Sequence, residues 1–120
     1  MIEQQGSEML FLDADGISAE LKIRREIYLR IVTSFSATLQ EKISVLEQAL
    51  QSRDHECLRR TLHEIKGTSS NLRLRDISAA EQLMHEEVKG AADPAKMVQY
   101  LESIKKEAER LQAYVRQFGK

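Results

Sequence analysis

Tryptophan is missing from this chain, and proline and cysteine occur once each. With Cys57 as its one cysteine the chain can form no internal disulfide, and a reducing compartment is the natural expectation. Aromatic residues make up only 5% of the sequence, so Leu, Ile, Val and Met must fill the core, as they do in helix bundles. No alternation of apolar and polar residues bounded by turns occurs, which argues against a sheet. Net charge is almost nil: 18 Lys and Arg stand against 19 Asp and Glu, a formal −1. A protein-wide field for nucleic acid or membrane is therefore excluded, while a local basic patch is not. No apolar run approaches the roughly 18 residues of a membrane span. The opening stretch, MIEQQGSEMLFLDADG, lacks a basic start and is broken by acids and glycines, so it does not read as a signal peptide. The expected location is the cytoplasm.

What is present fits one soluble domain: 120 residues, 42% hydrophobic and 31% charged. Residues 1–16 are expected to form a partly flexible lead segment. Turn signals stand at Asp13-Ala14-Asp15-Gly16, Ser52-Arg53-Asp54 and Gly90-Ala91-Ala92-Asp93-Pro94. Apolar residues recur every three or four positions in four long segments. The first helix runs from Arg25 to Gln51, with the stripe Tyr28, Val32, Phe35, Leu39, Ile43, Leu46, Leu50. The second runs from Asp54 to Leu72, with Leu58, Leu62, Ile65, Ser69 and Leu72 inward. The third runs from Leu74 or Arg75 to Lys89, with Ile77, Ala80, Met84 and Val88 inward and Gly90 as its stop. The fourth has Asp93 as N-cap and Pro94 at its first position, and its stripe extends from Met97 to Phe118.

Such stripes must face one another, and short connections make successive helices antiparallel. The expected fold is all-α, an up-and-down antiparallel four-helix bundle spanning about residues 25–118. A short capping helix, Ile17 to Ile23, is expected over one end, with Ile17, Leu21 and either Leu10 or Leu12 apolar. The alternative for this spacing, an intermolecular coiled coil, is disfavoured by the short loops.

The segment LHEIKGTSSNL, residues 62–72, breaks the pattern. Gly67 lies mid-helix, where glycine costs roughly 1 kcal/mol relative to alanine. One residue on from each member of the second stripe come Arg59, His63, Lys66, Ser70 and Arg73. These lie about 100° around the helix from the core seam and flank it. Gly67, four residues after His63, is its neighbour on the same face. The absent side chain clears space beside an imidazole, and Lys66 attracts an anion held there. The chemistry that fits is phosphoryl transfer, which needs positioning and charge neutralisation more than acid–base machinery. An imidazole with a pKa of about 6.5 is substantially neutral and nucleophilic near pH 7. Thr68 and Ser70 offer hydroxyls.

The pattern His63-x-x-Lys66-Gly67-x-Ser69-Ser70-x-Leu72 resembles the signature of histidine-containing phosphotransfer domains. Tyr28-Leu29-x-x-Val32-x-x-Phe35 looks like the family's first long helix, and Leu58-Arg59-Arg60-x-Leu62 like its approach to the histidine. The resemblance spans roughly Ile17 to Phe118. It implies a relay intermediate that takes a phosphoryl group from one receiver-domain aspartate and gives it to another. His63 then matches the phosphorylated residue, Lys66 and Gly67 its usual neighbours, and Ser70 the hydroxyl beside the imidazole. Two features depart from the family pattern. Arg73 stands where many members have glycine, and would extend the basic strip or alter which receiver fits. The glutamine sometimes found one helix later would fall between Gln82 and His85, at a register the sequence does not fix.

The implied partners are receiver domains of response regulators and of a hybrid sensor histidine kinase, bound transiently by a monomer. Their expected contacts are Arg59, Lys66, Gly67, Ser70 and Arg73, with apolar help from Ile17 and Leu21. The chain has no Gly-rich nucleotide loop and no acidic cluster with lysine, so it is expected to lack kinase activity and a cofactor of its own, magnesium arriving with the receiver. Nucleic acid and membrane are not expected partners. The rivals are a bundle of the same shape that sequesters a kinase or receiver without being phosphorylated, and a purely structural adaptor. Other candidates read as structural: Cys57 as a core or boundary residue, Glu64 as a solvated charge about 100° from His63, His55 and His85 as solvated or partly buried. No Glu-x-x-His pair and no His-Glu-x-x-His occurs, so a di-metal or zinc site is not expected.

Overall fold

Three aspartates open helices. The Asp13 carboxylate accepts a hydrogen bond from the Gly16 amide at 3.0 Å, Asp54 from Cys57 at 3.1 Å and Asp93 from Ala95 at 3.0 Å. Each satisfies an amide that the first helical turn leaves unpaired and sets a negative charge at the positive end of the helix dipole. The computed structural model describes residues 12–117, and its helices are α1 Ala14–Leu21, α2 Arg25–Ser52, α3 His55–Asn71, α4 Arg75–Lys89 and α5 Pro94–Arg116. No strand occurs among the described residues. Leu10, Phe118 and residues 1–11 of the expected lead segment lie outside the described residues.

Two local expectations are corrected. Asp13-Ala14-Asp15-Gly16 is not a turn between elements but the start of α1, which therefore begins three residues before Ile17 and ends at Leu21. The same residue types serve a turn and an N-cap, and here Asp13 caps. Gly90 does end α4, yet its φ of −98° is not left-handed. A Cβ there would stand 3.2 Å from the Glu86 carbonyl, so close backbone approach is what glycine accommodates. The left-handed residue in that loop is Ala92, φ 52°.

The four long helices close a ring. Neighbours in sequence pack together, and α2 packs on α5. This is the up-and-down bundle, with α1 laid against α2 and tied to it by Asp15–Arg25 at 2.7 Å. At about 1.5 Å per residue, the 28 residues of α2 span the molecule's long axis of 42 Å. The described stripe residues meet in one core, with Leu39, Leu46, Leu58, Leu62, Ile65, Met84 and Ile104 fully buried. The near-heptad spacing is thus consumed within the chain.

One polar bond crosses this core. Tyr28, fully buried on α2, donates its hydroxyl to the Leu72 carbonyl at the end of α3, 2.6 Å away. Burial, with Tyr114 nearby, raises the Tyr28 pKa well above its ordinary value, so the donor proton stays in place. Tyr28→Phe strands that carbonyl. We expect a loss of about 1–3 kcal/mol, read as a lower urea midpoint at unchanged slope.

Candidate functional site

The inward stripe of α3 is Leu58, Leu62, Ile65 and Ser69, all buried. Helical geometry then carries Arg59, His63, Lys66, Gly67 and Ser70 outward, and all five are exposed. His63 engages no other side chain through a hydrogen bond or ion pair among the described residues. Beside it, a Cβ built on Gly67 meets nothing within 4 Å. No packing demand accounts for glycine at 67, since the position faces open space.

The adjacent helix, α4, holds the polar side chains around the imidazole in place. Lys66 donates from Nζ to Gln82 Oε1 at 2.8 Å, and Gln82 Nε2 donates to Glu86 Oε2 at 2.9 Å. Gln82 lies within the stretch left unfixed by the sequence, and its contact is with the lysine. Ser70 Oγ lies 2.9 Å from Ser78 Oγ, which is also 3.3 Å from Ser69 Oγ. Ser78 escaped the sequence reading because only the α3–α4 packing pairs it with Ser70.

The outlying residues are spoken for. Arg59 pairs with Glu56 at 3.3 Å on an exposed surface. Arg73 has φ 62°, the left-handed region in which glycine is at ease. Its guanidinium bonds to the Ser70 and Asn71 carbonyls, both at 3.2 Å, and to Glu20 of α1 at 3.3 Å. An arginine at this position thus caps the end of α3 and fastens α1 to it. Ile17 and Leu21 are half-buried against the core. Glu64 turns from His63 to Lys42 of α2 at 2.7 Å, and that hydrogen bond holds its carboxyl below the usual range.

Behind the strip lies a pair the sequence reading did not single out. Glu81 is fully buried, its Oε2 3.0 Å from His85 Nδ1 and its Oε1 without a partner. Burial pushes the Glu81 carboxyl up to about 7, against the opposing pull of Lys66 and Lys89. Burial also holds His85 below its ordinary value, followed by the charges of Lys89, His63, Lys66 and Arg59. His85, read as solvated or partly buried, is partly buried, and Cys57 is a boundary residue packed on the core. The visible signal was the Glu81-x-x-x-His85 spacing, one helical turn.

Taken together, the strip can hold a tetrahedral anion: an accessible nucleophile, an ordered ammonium, a hydroxyl and an empty neighbouring position. No helix among the described residues is long and apolar enough to cross a membrane. A search of curated proteins and a search of solved structures each found no match. One family model does match, that of the Hpt domain, over residues 30–114, which takes in α3, α4 and every polar member of the strip. Matched over most of its length and free of strands among the described residues, this chain belongs to the Hpt domain family, whose members serve histidine phosphotransfer in phosphorelays and interact with receiver domains.

Proposed function

We propose that this chain is a phosphocarrier in which His63 takes a phosphoryl group from a receiver aspartate and passes it to another. The observation that carries the reading is the pairing of an exposed, unengaged His63 with the open position at Gly67. In-line transfer needs donor, phosphorus and acceptor aligned within about 3–3.5 Å, so the incoming aspartate must reach the ring closely. Lys66 offsets the charge of the moving group from one side, and Ser70 offers a hydroxyl near it. Magnesium belongs to the receiver, and no nucleotide-binding loop is present to support autophosphorylation. Arg59 and the half-buried Ile17 and Leu21 are proposed as the rim of the receiver contact, with Arg73 shaping its α1 edge. The proposed setting is the cytoplasm, the proposed state a monomer, and the proposed donor a hybrid sensor kinase.

The chemistry of the label is the test. Mixed with phosphorylated receiver domains, the chain should acquire label that acid removes and alkali spares, as a phosphoramidate requires. Acid-stable label would point to a hydroxyl ester and overturn the assignment to histidine. A bundle that only sequesters its partner would acquire none, and nothing in that reading calls for open space at position 67.

A further inference from the structure

A fully buried carboxylate with one oxygen unpartnered is costly unless it has a use. Glu81 is such a group, and its other oxygen meets the His85 imidazole. Its Oε2 backs His85 Nδ1, while His85 Nε2 makes no hydrogen bond among the described residues. The arrangement is a carboxylate–imidazole pair with its outer nitrogen left for solvent, set behind the α3 strip. Phosphotransfer through His63, on which this inference rests, brings a charge of about −2 to that strip.

We propose that Glu81 and His85 form a proton-binding pair coupled to His63: arrival of a phosphoryl group on His63 draws one proton from solvent onto the pair, and its departure releases that proton. No covalent bond forms at the pair. In the loaded state Glu81 Oε2 accepts from His85 Nδ1–H, and Nε2 carries the second hydrogen.

The surroundings set the sign. From the Lys66–Gln82 contact, His63 lies one turn back along α3 and His85 one turn on along antiparallel α4, which sets the pair at the level of His63, and the charges of Lys66, Lys89, His63 and Arg59 bear on it. From α5 the buried side chains are apolar, apart from the Tyr114 hydroxyl. Of the five α5 cations, Lys105 lies against Glu47 and Glu102 and Arg110 against Asp76 and Glu107. In the resting protein the facing cations oppose a positive charge on His85. A phosphoryl dianion on His63 offsets Lys66 and turns that repulsion into attraction. The two groups share one titration, so the quantity that moves is the midpoint of the pair. The loaded carrier holds the extra proton, and lower pH therefore favours it. For one linked proton the receiver-to-carrier partition gains up to about tenfold per unit fall in pH from this source.

The test loads the full chain with phosphoramidate, a small-molecule donor, and titrates each imidazole by NMR with and without the group. The pair's midpoint, read on the His85 ring, should rise by about one unit or more on loading. His55, exposed at the start of α3, serves as the reference. Glu81→Gln should remove most of the rise, and His85→Gln should flatten the pH slope of the partition relative to the parent. A loaded His63 beside a His85 midpoint that moves no more than that of His55 overturns this inference alone. Failure of phosphoramidate to load His63 at all overturns the carrier reading and this inference with it.

Discussion

His63→Gln takes up no phosphoryl group from any receiver that labels the parent, a fall to background of at least about 100-fold, because a side-chain amide has no nucleophilic nitrogen. The variant should remain folded. His63 is exposed and engages no other side chain, so exchanging it falls in the class of surface substitutions worth about 0.5 kcal/mol or less. Thermal melts and helix content should match the parent while labelling vanishes. That combination separates loss of the acceptor from loss of the fold. Parental labelling in His63→Gln would leave the carrier reading without its nucleophile.

Gly67→Gln should move stability and transfer in opposite directions. A Cβ at 67 meets nothing within 4 Å, and glutamine is a better helix former than glycine. The bundle should therefore gain about 0.5–1 kcal/mol. The new side chain would occupy the open space beside His63, through which a receiver aspartate would approach the ring in the proposed transfer. A displacement of about 1 Å from the reactive geometry costs on the order of 100-fold, and that is the expected fall in transfer rate. Gly67→Ala, with one methyl group, should share the gain in stability and lose less of the rate. Stopped-flow transfer and urea unfolding on the same samples would check both signs. Parental rates in Gly67→Gln would refute the steric account of this glycine.

Periodicity made the bundle legible. The stripes of α2, α3, α4 and α5 each bury what their spacing requires, since a 3.6-residue repeat with no competing turn residues has one packing solution. Pro94 and the Asp93 cap fixed the start of α5 because few residue types serve there. The α1 start was misread because an aspartate and a glycine signal a turn and a helix start alike. On the site, α3 could be read alone, as five positions on one helix face. What α4 contributes could not. Gln82 and Ser78 reach the strip through the α3–α4 packing, and helix rotation about that seam is not written in either helix by itself. The backbone of Arg73 was equally hidden: a left-handed arginine is uncommon, and its bond to Glu20 depends on a helix 53 residues away in sequence.

The Gln82 amide that grips Lys66 bears on the speed of the proposed transfer. A free lysine side chain surrenders up to about 2 kcal/mol of rotamer entropy when it is immobilised. Here the ammonium is already steadied at 2.8 Å before any anion arrives, so much of that loss belongs to folding and not to catalysis. In the proposed relay, receiving the phosphoryl group would be a swap of acceptors at one nitrogen, and handing it on the reverse swap.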